Sequence, residues 1–517
     1  MAAGELQTSG EIQELTQDVS GSPYYSHDMA PVPRALRKWG MWDMAALWVS
    51  MSACIPTYRL ASSLIDGGMN WWQAVLTIFL GNLIVLIPMV LNAHAGTRYG
   101  IPFPVYCRAS FGILGANVPA LMRAMVACGW FGIQTWIGGD AIYKILSVFY
   151  PSMNDLPNTF LDINVAQVCC FLFFWAINMV VIYMGIDSIR ILLDIKAPLL
   201  IIMGLALLAW AYSAAGGFGT MLSQPSQFSA GQAKQGQFLS FFIAALTANV
   251  GFWATLSLNI PDFSRYAYSQ KDQVLGQATG LPTTMALYSF IGVAVTSAAF
   301  VIYSDKPPEF KKELWDPVVL LAQFKNPVIL IFSLFCLCLA TLATNIAANV
   351  VSPANDFAHL WPKRIGFRSG GLITGVIGIL IRPWKLIADP TGFIFTWLIA
   401  YSALLGAVGG VLIADYFLIR KARLDLAGLY KAHGPYWYQG GFNWIAMIAL
   451  AVGIAPCIPG FIQTVIGVED DTPWKAIYKF AWFLSFGISF VVYAALMALR
   501  SDTATAGEGV QTSGSRA

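Results

Sequence analysis

Ser52-Ala53-Cys54-Ile55-Pro56-Thr57 lies in the middle of the first long apolar stretch of the chain. Pro56 has no N–H for a helical ladder, and its ring collides with the preceding turn. A spanning helix broken here leaves backbone groups unpaired, which is tolerated at membrane depth only where they line a cavity or are covered by protein. Ala248-Asn249-Val250-Gly251-Phe252-Trp253, in the sixth apolar stretch, sets an amide beside a glycine, a combination that tolerates unwinding. Interrupted spans at corresponding positions of two halves point to a transporter's binding site. Segments one and six open two halves of five spans each, so the two breaks predict a five-plus-five core. A plain proline kink with a glycine packing contact is the alternative.

The surrounding composition is that of an all-α integral membrane protein. Of 517 residues, 57% are hydrophobic and 11% are charged, at a mean hydropathy of +0.63; soluble proteins carry about 25% charged residues. About twelve runs reach the roughly 20 residues that cross a bilayer, at roughly 41–65, 71–95, 116–148, 162–186, 193–215, 237–261, 279–303, 326–355, 369–386, 391–420, 441–465 and 474–499. Arg382, Pro383 and Lys385 interrupt the ninth, and Phe103–Gly112 reads as a short interfacial segment. The organisation is a cytoplasmic segment over roughly 1–38, a transporter core over 39–425, two further spans over 426–499 and a disordered tail over 500–517.

Lys and Arg gather in alternate connections. Arg98, Arg108, Arg190, Lys196, Arg265, Lys271, Lys363, Arg364, Arg368, Arg420, Lys421 and Arg423 fall on one set. The opposite set, with Asp66, Asp155 and Glu469–Asp471, is poorer. The loop 304–316 mixes Lys306, Lys311 and Lys312 with Glu309, Glu313 and Asp316. This asymmetry predicts that both termini are cytoplasmic, in a plasma or bacterial inner membrane. Other classes recede. A net charge of +3 without a basic block gives no nucleic-acid footprint. Eight Cys without a CxxC pair, and four His, predict neither a metal centre nor a cofactor. No HExxH, Ser/His pairing or paired carboxylates at helical spacing mark an enzyme within a span. Oligomeric state leaves no mark in the sequence.

The chemistry concentrates in the third span, Ala127-Cys-Gly-Trp-Phe-Gly-Ile-Gln-Thr-Trp-Ile-Gly-Gly-Asp140. Trp130 and Gln134, four apart, share one helical face and offer an aromatic platform beside an amide that both donates and accepts. A planar, polar, uncharged ring suits such a shelf; an aromatic packing stripe is the alternative. Gly129, Gly132, Gly138 and Gly139 leave room for another helix or for a ligand. In the eighth span, Asn345 and Asn349 lie one turn apart, either as interhelical glue or as readers of a ligand edge.

Further stretches complete a pattern. They are Asp28–Pro31 with Arg37–Trp42, Cys54–Tyr58, Gly68–Gln73, the run from Asn92 to Gly112, Asn259–Tyr266, Ala343–Asn349 and Ala414-Asp415-Tyr416. On these the chain resembles the nucleobase:cation symporter-1 family, which includes bacterial hydantoin permease, and most closely its allantoin and uracil permease branch. The resemblance implies a leucine-transporter-type inverted repeat with two extra C-terminal helices. It implies a symporter importing a small planar nitrogen heterocycle (uracil, allantoin or a hydantoin) from the bilayer's outer side, coupled to H+ or Na+ by alternating access. A non-transporting sensor on the same fold is the alternative. By resemblance, Trp130 would stack on the ring, Gln134 and Asn349 would hydrogen-bond it, and Gly251-Phe252, or the adjacent Trp253, would close it from the sixth span. A sodium site would use the carbonyls of Ser52, Ile55 and Ala340 and the hydroxyl of Thr344. Ala343 stands where the sodium-coupled relative has a serine, and a methyl cannot coordinate a cation, so the expectation leans to proton coupling or weak sodium dependence. Asp140 is the proton-coupling candidate, because ionisable residues within spans are functional candidates by default. Asp43, Asp262 and Asp415, nearer helix ends, suit structural roles, and Arg59 or Arg123 is available to neutralise a carboxylate.

Overall fold

The first apolar run folds as two half-helices, α1 (Met41–Ser52) and α2 (Ile55–Asp66), in a computed structural model that describes residues 12–159, 161–184, 186–307, 310, 313–388, 392–468 and 472–511. Residues 1–11 and 512–517, and the loop charges Glu309, Lys311, Lys312 and Glu469–Asp471, lie outside the described residues. The break falls at Ala53 and Cys54, the latter fully extended at φ −152° and ψ 161°. Pro56 therefore occupies the first turn of α2, where the missing N–H has no intrahelical partner to lose. The proline marks the break but sits just past it.

α3 (Trp71–Tyr99), the short α4 (Phe103–Phe111) and α5 (Asn117–Phe149) follow. α6 (Val165–Met184) and α7 (Ile186–Ala215) complete the first half. The second half opens with α8 (Phe238–Phe252) and α9 (Ala254–Asn259), separated at Trp253. α10 (Gln270–Ile302), α11 (Pro327–Asn349) and α12 (Val351–Leu360) come next; the last two part at Val350, directly after Asn349. α13 (Phe367–Leu380) stops where Arg382 turns to φ +55° ahead of Pro383, the interruption that the sequence flags. α14 (Gly392–Ile419) has wider, π-helical turns at both ends. α15 (Trp444–Val465) and α16 (Ala481–Gln511) lie beyond the repeats; α16 runs on as helix past residue 500, into the stretch read as a tail.

The twelve expected spans thus fall on these helices, the first, sixth and eighth each on a pair. Among the described residues, seven helices are long and apolar enough to cross a membrane, and shorter apolar helices at Leu199–Ala215, α8 and α13 accompany them. The chain is a multi-pass membrane protein.

α2 is buried from Ile55 to Ile65, so the bundle surrounds it. α5 is buried for a different reason. Each of its glycines faces a neighbouring helix: Gly129 meets the Trp397 ring, Gly132 the backbone of Gly378, Gly138 the Phe174 ring and Gly139 the backbone of Phe171. Their small size admits helices, as is usual where van der Waals packing drives association in lipid.

The amino-terminal segment is fastened to the bundle. Arg37 is 2% exposed, and its guanidinium donates to the carbonyls of Val32 (2.8 Å), Thr97 (2.9 Å), Arg98 (3.3 Å) and Gln13 (3.1 Å). Thr97 and Arg98 are among the last carbonyls of α3, which lack partners within the helix. Burial lowers the pKa of Arg37 to about 10, which still leaves it cationic at neutral pH. Tyr24 and Met29 are held through their carbonyls by Arg108 (3.0 Å) and Tyr430 (2.7 Å).

Candidate functional site

Both central breaks face the same residues of α5 and α11. Cys54 and Pro56 from the first break, Phe252 and Trp253 from the second, Trp130 and Gln134 from α5, and Thr344 and Asn349 from α11 line one cavity of about 30 Å³. That volume holds about one water molecule, so a heterocycle enters only if the aromatic walls part.

Trp130 is 5% exposed and meets four rings edge-on: Phe252 at 5.3 Å, Trp397 at 5.9 Å, Phe393 at 6.1 Å and Tyr401 at 6.4 Å between centroids. Its indole N–H donates to the Tyr401 hydroxyl at 3.3 Å. Edge-on neighbours fix the plane of the indole, because the positive edge of one ring seeks the negative face of another. Trp253 sits between Phe252 (5.1 Å) and Trp48 (5.2 Å), edge to face with both. Phe252 is thus the aromatic in contact with Trp130, and both Phe252 and Trp253 line the cavity.

Two polar atoms here are buried without a hydrogen-bond partner: Gln134 Oε1 and Trp253 Nε1. A buried polar group left unpaired is costly, so α5 brings a free acceptor to the cavity lining and the second break a free donor. Asn349, 6% exposed, donates its Nδ2 to Asn345 Oδ1 at 3.1 Å.

Gly251 does not line the cavity. A Cβ there would come within 2.8 Å of the Leu398 carbonyl and 3.0 Å of Ser402 Cβ, so the glycine seats α8 against α14. Gly251→Ala is expected to lower stability by about 1–3 kcal/mol, the usual cost of overpacking, read as a fall in the melting temperature of the purified protein.

Of the four positions named for a cation, Thr344 faces the cavity, and its hydroxyl donates to the Ala340 carbonyl at 2.9 Å. Ser52 is fully buried, and its Oγ has no partner. Ile55 begins α2, directly after the break. An orphaned hydroxyl beside the end of α1 and a hydroxyl–carbonyl pair on α11 suit a cation's oxygen shell, to which the buried methyl of Ala343 adds nothing.

Asp140 lies outside the cavity lining and is partly buried on α5. The charges acting on it are Lys144, Asp316, Arg59 and Glu313. Neither buried arginine pairs with it. Arg59 is ion-paired with Asp316 and lies 5.3 Å over the Trp315 ring; Arg123 pairs with Asp356 at 3.3 Å, both side chains fully buried. The other carboxylates hold structure: Asp43 caps the Gly40 N–H (2.8 Å), Asp262 accepts from the Phe103 N–H (2.9 Å), and Asp415 accepts from Tyr493 (2.7 Å), Ser110 (3.0 Å) and Arg420 (2.7 Å).

Sequence reasoning passed over Phe393, Trp397 and Tyr401. Their four-residue spacing on α14 is an aromatic stripe along one helix face, and that signal finds them. Asn178, the one asparagine in the apolar α6, carries no such signal.

The chain matches the family model described as permease for cytosine/purines, uracil, thiamine, allantoin, over residues 31–485. It is 42% identical over 511 residues to the purine-uracil permease NCS1 of Arabidopsis thaliana, across 95% of this chain and 83% of that one. It is 38% identical over 494 residues to the allantoin permease of Bacillus subtilis (strain 168), across 94% and 96%. Among solved structures, the inward-facing conformation of Mhp1 superposes with a TM-score of 0.73 at 26% identity, over 93% of this chain and 94% of that one.

Proposed function

Because this chain belongs to the family of permeases for cytosine/purines, uracil, thiamine and allantoin, a family of transporters and not of enzymes, we propose that it is a symporter importing a small planar nitrogen heterocycle, with uracil, allantoin and hydantoins as the leading candidates. The observation that carries this reading is the cavity between the two helix breaks, with an indole wall at Trp130 and the uncharged amides of Gln134 and Asn349. An aromatic face suits any flat ring, and amides on two helices serve its donors and acceptors without introducing charge. A site built to bond such groups rejects analogues lacking them, because its own polar atoms would stay unpaired.

In this reading the ring stacks on Trp130, Phe252 and Trp253 close over it, and the binding residues stay near the midplane while one bundle rocks against the other. Both termini lie on the cytoplasmic side. Residues Ser52, Ile55, Ala340 and Thr344 would hold a coupling cation, which when bound ties the first break to α11. Without a hydroxyl at Ala343 the site favours protons or binds sodium weakly, and Asp140 is the group proposed to carry a coupled proton.

Uptake of labelled uracil, allantoin and hydantoin into proteoliposomes, with imposed proton or sodium gradients, tests the proposal; accumulation of one of them above equilibrium is expected. No gradient-driven accumulation of any candidate would remove it. Ala343→Ser is expected to increase the sodium dependence of uptake, by about tenfold in sodium affinity if one oxygen ligand is worth one charge-assisted contact. A variant with no sodium response would refute this account of the cation site.

A further inference from the structure

The amide of Asn349 is held in one orientation by a chain of hydrogen bonds that begins on backbone carbonyls two helices away. Asn178, fully buried on α6, donates its Nδ2 to the Phe174 carbonyl at 2.8 Å. A backbone carbonyl only accepts, so Asn178 turns its Oδ1 the other way, where it accepts from Asn345 Nδ2 at 3.2 Å. The same Nδ2 lies 3.2 Å from the Phe131 carbonyl and 3.1 Å from Thr135 Oγ1. The Thr135 hydroxyl donates its hydrogen bond to the Phe131 carbonyl at 2.7 Å, so toward Asn345 it too can only accept. Three acceptors therefore converge on one end of Asn345, and a flipped amide would set an oxygen against all three in a fully buried place.

With Asn345 fixed, its Oδ1 faces Asn349 and accepts a hydrogen bond from Asn349 Nδ2 at 3.1 Å. The Asn349 carbonyl oxygen and one Nδ2 hydrogen are left over, and the chain fixes which edge of that amide carries the acceptor. Gln134 differs, because no hydrogen bond anchors either end of its amide among the described residues, so it turns to suit the ligand.

We propose that Asn178, Asn345 and Thr135 are specificity-determining positioning residues that fix the acceptor edge of Asn349, and that the site therefore takes rings presenting an imide or ureide N–H at that edge in preference to rings with a bare nitrogen there. The inference rests on the reading of this cavity as the heterocycle site. Uracil, hydantoin and allantoin each carry such an N–H between two carbonyls; cytosine has a lone pair at the corresponding ring position.

The test is equilibrium binding of uracil, hydantoin and cytosine to the purified full-length protein, compared between wild type, Asn178→Ala and Asn345→Ser. Serine both gives and takes a hydrogen bond, so it fills the position without dictating direction, and a melting curve on each variant separates binding loss from unfolding. Wild type is expected to favour the imides over cytosine by about tenfold or more, and both variants to narrow that ratio by about tenfold, because a freed Asn349 can turn its NH2 inward. An equal loss of all three ligands, or a wild type without preference for the imides, overturns the proposal while leaving the site in place. If none of the three binds the folded wild type, the heterocycle site falls, and the inference falls with it.

Discussion

Trp130→Ala is expected to remove most heterocycle binding. Stacking of a base on an aromatic ring is worth about 1–3 kcal/mol, which corresponds to about fivefold to over a hundredfold in affinity. The loss does not stop at the ligand. Phe252, Phe393, Trp397 and Tyr401 all rest edge-on against the indole, and Tyr401 receives its N–H. Truncating a buried tryptophan costs about 3–5 kcal/mol of stability, so the alanine variant should also melt earlier. Trp130→Phe separates the two effects, keeping an aromatic face while losing the bond to Tyr401. Its affinity is expected to lie between those of alanine and wild type. Binding by isothermal titration, with a thermal melt on each variant, provides both readouts; an alanine variant that binds as wild type would move the ring elsewhere.

The second large effect belongs to a pair that touches no ligand. Arg123 on α5 and Asp356 on α12 face each other with both side chains fully buried. Arg123 Nε and Nη2 and Asp356 Oδ1 have no further hydrogen-bond partner, so each ion depends heavily on the other. Removing one member of such a pair strands a charge and costs about 3–5 kcal/mol, whereas replacing both by apolar residues is often neutral. Arg123→Leu is therefore expected to lose most folded protein at growth temperature, measured as the monodisperse yield from solubilised membranes. Arg123→Leu combined with Asp356→Leu should recover much of it. Equal damage in the single and double variants would show that the two charges are not coupled.

These two cases also mark what the sequence discloses. That Trp130, Gln134 and Asn349 share one cavity is legible because a four-residue spacing and the expense of amides in lipid are local facts, readable without knowing any neighbour. The helix breaks were legible for the same reason, although Pro56 sits in the first turn after the first break and Trp253, not Gly251, holds the second. At Gly251, a glycine that admits a ligand and one that admits a helix look alike in sequence; the Leu398 carbonyl opposite it shows the helix. The sequence offers Arg59 and Arg123 to neutralise carboxylates, but their partners Asp316 and Asp356, more than 200 positions away, are set by tertiary packing. The amide chain through Asn178 was beyond sequence reading, since one asparagine in an apolar span says nothing about which carbonyl it meets.

Arg37 has a practical bearing on how the protein is handled. Together with the left-handed Gly100, it closes the carboxyl end of α3 from a distant part of the chain, a task that most helices leave to their own flanking residues. The leader that carries it is therefore part of the folded body. A shortened gene beginning at the first span would leave those terminal carbonyls bare and would take from Arg108 the Tyr24 carbonyl it holds. Purification handles or fluorescent fusions belong ahead of Gln13, where they leave this clasp intact.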